Sequence, residues 1–273
     1  MSPGAGREAR TAEPGGPWRG PPLFDAHLHL IDPRFPLVAN QGFLPDPFDA
    51  AAYRRATRGL GVAGGAVVAG SFQGFEPAWI PAALADLGPG FVAVAQIPPE
   101  TTDTEILALD AAGVRAVRFN LARGMVGDMG EVLHLAARVH ELAGWHAELY
   151  LASTEIADLA PKLSRLPRMV IDHLGLTRRG FQNLLRMVAR GARVKATGFA
   201  RLDFHPAAAI AAIHAENPGA LLFGTDLPGT RAPRPFDLDD LDVIATTLPD
   251  AADLRRVLSD NARDLYGLAP GAA

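Results

Sequence analysis

Residues 23–30 read Leu-Phe-Asp-Ala-His-Leu-His-Leu. In a strand, alternate side chains share a face, so His27 and His29 project together while Leu28 and Leu30 take the other side. Two neighbouring imidazoles can hold a divalent metal or a hydrolytic water. They could equally be two packed histidines. Their place at the end of an apolar strand points to chemistry.

Upstream, residues 1–22 are rich in Gly, Pro, Arg and Glu. Such a stretch buries too little apolar area to offset ordering entropy, so it reads as a disordered tail. Trp18 is its one large apolar residue and a candidate to dock on the body. Downstream, seven more apolar runs follow: GAVVAGSF, FVAVAQI, VRAVRFNLA, WHAELYLA, MVIDHLG, ARVKATGF and ALLFGTD. Between most of them lie stretches with helical spacing, at Asp49–Gly59, Pro77–Leu87, Asp103–Ala112, Glu131–Ala143, Glu155–Leu163, Phe181–Ala189 and Pro206–Glu216. Leu238–Thr246 and Ala252–Tyr266 are helix-like after the eighth run. Near-continuous apolar strands alternating with amphipathic helices imply a parallel sheet covered by helices. Eight βα units over residues 23–273 fit one closed (β/α)8 TIM barrel. An open doubly wound sheet would carry a Gly-rich phosphate loop after the first strand. Here that strand runs into His-Leu-Ile-Asp-Pro-Arg-Phe-Pro. The link Ile31–Pro47 is too long for a plain connection, which suggests a lid or a dimer contact.

The 273 residues carry a formal net charge of -4, which argues against nucleic acid. There is no cysteine, so disulfides, thiol nucleophiles and cysteine–metal sites are excluded. No apolar run reaches the ~18 residues of a membrane span and no secretory signal is visible, so a cytoplasmic protein is expected, as monomer or homodimer.

Barrel enzymes place their chemistry at the C-terminal ends of the strands. Those ends offer His27 and His29, then Ser71 and Gln73, then Gln96. Strand four offers Arg118 and Asn120, with Arg123 nearby. Strand five offers His146, Glu148 and Tyr150. Strands six to eight offer Asp172 and His173, Lys195 and Arg201, and Asp226. Some have structural readings. Gln73 and Gln96 suit capping of loop backbone. His146 suits a packed layer or the bottom face. Asp172 is expected to alternate away from the mouth and bond backbone. Lys195 suits a buried ion pair, and Arg118 and Arg201 could pair with Glu148 or Asp172. Otherwise the arginines suit a carboxylated small molecule, because guanidinium binds carboxylate through two parallel hydrogen bonds. Asp226, at the last strand's end, suits a base or a metal ligand. His134, His140, His205 and His214 fall in or beside helices and read as structural.

FDAHLHL, VIDHLG, LLFGTDLP and the closing SDNARDLYGL resemble the amidohydrolase superfamily, specifically the amidohydrolase-2 branch of lactonases and metal-dependent decarboxylases. With VRFNLARG, Tyr150 and VKATGFARL, the pattern is most similar to the 2-pyrone-4,6-dicarboxylate lactonase family. That resemblance implies hydrolysis of a cyclic ester without a bound metal. It places His27, His29 and His173 around water and carbonyl, Asp226 as general base, and Arg118, Tyr150 and Arg201 on substrate carboxylates. The carboxylated lysine of binuclear superfamily members has no counterpart on strand four. The stretch after Gly-Thr-Asp departs from the lactonase pattern at Leu227-Pro228-Gly229. Two other readings stay open. A mononuclear decarboxylase would hold one Zn or Mn ion on His27, His29, His173 and Asp226. A non-catalytic barrel would use the arginines alone to bind an anion.

Overall fold

The computed structural model describes residues 18–124 and 128–269. Most of the expected tail lies outside them. Trp18, at its end, packs on the body, with its amide donating to the Gly59 carbonyl at 2.8 Å.

Eight parallel strands pair in sequence order. They are β1 (Leu23–Leu28), β2 (Val62–Val68), β3 (Phe91–Ala95), β4 (Val114–Phe119), β5 (His146–Leu149), β6 (Met169–Ile171), β7 (Arg193–Ala196) and β8 (Leu221–Phe223). Seven helices connect them: α1 (Ala50–Ala56), α2 (Trp79–Leu87), α3 (Asp103–Ala111), α4 (Met129–Ala143), α5 (Ser153–Leu163), α6 (Phe181–Val188) and α7 (Pro206–Glu216). The architecture is a (β/α)8 barrel. Two apolar layers result. Phe24, Ala66, Val68, Val92, Val94, Ala116, Val170 and Leu222 fill the inside, while alternate strand residues such as Leu28, Val67 and Val117 face the helices.

The barrel closes through backbone bonds between β1 and the stretch after β8. The Asp226 amide donates to the His27 carbonyl at 2.7 Å, and the His29 amide donates to the Leu227 carbonyl at 2.8 Å. Buried Asp25 ties the same seam. It accepts from the Thr225 amide (2.8 Å), the Thr225 hydroxyl (2.7 Å) and the Tyr53 hydroxyl (2.9 Å).

Strict alternation fails in β1. Its register against β2 shifts between Asp25 and Leu28. Phe24 and Ala26 belong to the inner layer, yet His27 also faces inward, where it meets Lys195. A bulge of this kind re-aims one side chain. It lets Asp25 brace the outside of the seam while both histidines enter the barrel.

After β8 come α8 (Leu238–Thr247), α9 (Ala251–Arg255) and α10 (Asn261–Leu265), the last two joined by a π-turn at Arg256–Asp260. The expected single helix Ala252–Tyr266 is therefore interrupted. The extra residue of the π-turn adjusts the approach of α10, and Ala262, Leu265 and Tyr266 join the inner layer. None of the helices among the described residues is long and apolar enough to cross a membrane.

Candidate active site

Three site residues meet at the seam. His27 Nε2 lies 3.8 Å, and His29 Nε2 3.7 Å, from Asp226 Oδ1. The two rings stand edge to face at 4.9 Å. His173 completes the group by packing 5.0 Å from the His27 ring. Metal-competent atoms fall into two sets that share His27: His27, His29 and Asp226 in one, and His27, Asp172 and His173 in the other.

The backbone is strained to make this arrangement. His173 and Asp226 adopt left-handed φ of 50° and 58°, and Leu174 and Leu176 share that region. Non-glycine residues there cost on the order of 1–3 kcal/mol each and persist only where surroundings over-determine them. Gly198 makes room: a Cβ on it would stand 2.7 Å from His173 Nδ1 and 3.1 Å from Asp226 Oδ2.

Burial sets the protonation states. Desolvation pushes His173 down to about 4, helped by Arg201 and Arg118. Burial, then Lys195, drives His27 well below its ordinary value. Both are neutral near pH 7. Burial alone would raise Asp226, but His173, His29 and Arg201 outweigh it and hold the carboxyl well below the usual carboxylate range. Arg201 Nε donates to Asp226 Oδ2 at 2.7 Å, and its Nη2 donates to the Thr230 carbonyl. Oδ1 of Asp226 and Nε2 of His27 are buried with no hydrogen-bond partner. His29 is fixed by its Nδ1, 2.7 Å from the Val68 carbonyl oxygen. Only a proton can sit between that nitrogen and a carbonyl, so Nδ1 is protonated, and in the neutral ring Nε2 carries the lone pair.

His29, His173 and Asp226 line the floor of a cleft, with His27 buried beneath them. Ser71, Arg118, Asn120, Arg123, Tyr150 and Arg201 all line it. Tyr150 lies edge-on to His173 at 5.2 Å and is flanked by the Arg118 and Arg123 guanidinium groups at 5.6 and 5.7 Å from its ring. Arg118 is already engaged, donating to Asp172 Oδ2 at 3.0 Å and to the Ala69 carbonyl at 2.7 Å. Arg201 pairs with Asp226 instead of Glu148 or Asp172.

Asp172 does not turn away to bond backbone. It follows Val170 on the inward face and sits fully buried between Arg118 and His27, because its inward parity aims it at two cations, Arg118 and Lys195. Lys195 forms the ion pair expected of it, at 2.5 Å from Glu148 Oε2. Glu148 also accepts from Tyr266 at 2.6 Å and contacts His146 Nε2 at 3.2 Å, so His146 is a layer residue below the site. Gln73 and Gln96 donate to the Leu30 and Gly74 carbonyls. His140 bonds the Trp145 carbonyl, His205 caps α7 and His214 faces Asp253, all away from the cleft.

Sequence reasoning misses Arg231, Thr230, Phe43 and Phe72, which also line the cleft. Arg231 stacks 4.6 Å from the Phe43 ring and donates to the Asn40 carbonyl and to Gln41 Oε1. The link Ile31–Pro47 thereby reaches the barrel mouth. The signal for Arg231 is its place five residues after Asp226, in the βα loop of the last strand.

The family model of the amidohydrolases (Amidohydro_2) matches residues 24–268. The chain belongs to that amidohydrolase family. It is 28% identical to a 2-pyrone-4,6-dicarboxylate hydrolase of Comamonas testosteroni, over 89% of each chain. It is 26% identical to a D-galactarolactone isomerase of Agrobacterium fabrum, over 90% of this chain and 91% of that one. An apo crystal structure of an Agrobacterium tumefaciens protein superposes with a TM-score of 0.84 at 24% identity, covering 92% of this chain and 98% of that one. Members of this family often use a divalent metal, and the His/Asp groups above are candidate ligands.

Proposed function

We propose that this amidohydrolase hydrolyses a lactone that carries carboxylate groups. One observation carries the reading. Two buried, unpartnered polar atoms, His27 Nε2 and Asp226 Oδ1, lie 3.8 Å apart, and Asp226 opens on a cleft also lined by Arg123 and Arg231. Among the described residues neither Arg123 nor Arg231 has a carboxylate partner, and burial, with Arg123 adding its charge, pushes the Arg231 guanidinium down. Two such cations favour an anionic ligand. The two relatives are named for a dicarboxylated pyrone and for a sugar-acid lactone, which supports the same class.

The proposed step uses the chain's own residues. A water held among His27, His29 and Asp226 attacks the lactone carbonyl carbon and gives its proton to Asp226 Oδ1. The ring C–O bond breaks, and the departing oxygen takes that proton back, leaving an open-chain acid. With His27 and His173 neutral, arginine and neutral N–H donors stabilise the oxyanion. Arg201 keeps Asp226 ionised and fixes which oxygen is free.

The nitrogen and oxygen donors of His27, His29 and Asp226, with His173 adjacent, suit one Zn or Mn ion. A bound ion would supply an acidified water and a polarised carbonyl. Elemental analysis of the purified protein, run beside hydrolysis of dicarboxylated pyrones and sugar-acid lactones, tests the proposal. Turnover of a carboxylated lactone is expected. Failure across that panel, with turnover of an unsaturated or aromatic acid by decarboxylation, would overturn it.

A further inference from the structure

Lys195 is fully buried beneath His27, and the proposed reaction gives it no role. Its ammonium group has three protons and no acceptor capacity. One proton goes to Glu148 Oε2 at 2.5 Å. Burial raises Glu148, but Lys195 and then His146 outweigh it and bring it down to about 2, so the lysine faces an anion. The other acceptors within reach are His27 Nδ1 at 3.3 Å and Asp172 Oδ1 at 3.9 Å.

His27 Nδ1 has two possible neighbours with opposite demands. If it carried a proton, it would aim that proton at Asp172 Oδ1, 3.4 Å away, and would present a donor to the lysine's donors. If it is bare, it accepts from Lys195. Buried N–H groups left facing other donors are costly. Asp172 already accepts from Arg118 through Oδ2, and its Oδ1 has no hydrogen bond. Lys195 Nζ stands within hydrogen-bond distance of Nδ1 but 3.9 Å from Asp172 Oδ1, and the His27–Asp172 contact makes no hydrogen bond, so the lysine is the partner of Nδ1.

We propose that Lys195 is a positioning residue that fixes the His27 tautomer, with the ring proton on Nε2. This deepens the lactone-hydrolase reading and rests on it for its catalytic meaning. The two histidines then become complementary. His27 Nε2–H donates, while Asp226 Oδ1 and, in the neutral ring, His29 Nε2 accept. One donor and two acceptors match one water: both its protons are engaged, one lone pair is held, and the other is free to attack. A cation at the same place would need a lone pair from His27, so it binds only if that tautomer is reversed.

Long-range proton–nitrogen correlation spectra of the ¹⁵N-histidine-labelled full chain test this. His27→Gln assigns the ring signals. The wild-type protein should show a protonated Nε2 and a bare Nδ1 at neutral pH. A proton on Nδ1 in the wild type overturns the proposal whether or not any lactone is turned over, so its failure is distinct from failure of the functional reading. Lys195→Met, which leaves Glu148 without its cation, is paired with Lys195→Arg. The Met variant should move the proton to Nδ1, lower kcat by roughly 100-fold with little change in KM, as expected when the attacking water is no longer held in place, and bind Zn more tightly by calorimetry. The Arg variant should keep the wild-type tautomer and recover part of kcat. An unchanged His27 spectrum in a folded Lys195→Met protein would also overturn it. If that variant does not fold, the wild-type spectrum decides alone.

Discussion

Arg231 and Arg123 are the residues whose chemistry is least explained by folding alone. Neither has an acid beside it among the described residues, and each reaches the cleft through a loop after a strand. Replacing Arg231 by Met should raise KM for an anionic lactone by roughly 10- to 100-fold, the worth of a hydrogen bond to a charged group, with a smaller effect on kcat. A neutral methyl ester of the same lactone should show little change; initial-rate kinetics on both substrates check this. Equal losses on the ester would mean that Arg231 supports the loop through Asn40 and Gln41 without contacting substrate. Residues of the site are legible in the sequence where a strand fixes their direction. His27, His29, Tyr150 and Asp226 stand out because they end apolar runs. Arg231 does not, since loop residues have no period to betray their aim. Asp172 points opposite to the expected direction. Its burial between Arg118 and Lys195 is a long-range electrostatic fact that no local pattern contains.

Among the elements, the turn after β7 controls how closely His173 and Asp226 approach. Gly198 has φ of 60°, and its missing Cβ is the space His173 Nδ1 stands against. Gly198→Ala combines backbone strain with that clash, so it should cost about 1–2 kcal/mol of stability. It should also lower kcat more than the stability loss explains, because His173 must shift. Urea unfolding and kcat measured on the same preparation separate the two. A variant with reduced stability and unchanged kcat would show that His173 need not hold its place. The strands and most helices are readable from the alternation of apolar runs and helical spacing. The β1 bulge and the π-turn at Arg256–Asp260 are not. Each inserts a residue without changing the local apolar character, and each is stabilised by distant partners: Tyr53 and Thr225 for Asp25, and the barrel's inner layer for Tyr266.

For the molecule as a whole, buried ionisable groups dictate how stability responds to acid. His173, with its pKa lowered to about 4 by burial, stays neutral in the folded state while the unfolded chain takes up a proton below about 6.5. Its contribution is therefore complete above pH 6.5 and is lost as pH falls toward 4, at about 1.4 kcal/mol for each pH unit crossed. His27 and His146, both lowered chiefly by burial, act in the same sense. Asp25 acts in the opposite sense. Burial raises it to about 6 against four hydrogen bonds, so the folded state holds a proton there between about 3.8 and 6, and its contribution favours folding as pH falls through that window. Asp25→Asn should therefore steepen the loss of stability between pH 6 and 4; unfolding free energies at several pH values check this, and an unchanged slope would remove Asp25 from the balance. In the proposed reaction Asp226 activates a water against a carboxylated lactone. The most direct test is the rate of ring opening of such a lactone by the wild type and by Asp226→Asn, with circular dichroism on both. Turnover by the wild type and a loss of ~10³-fold or more in kcat for the folded variant are expected. Comparable rates for the two proteins would contradict it.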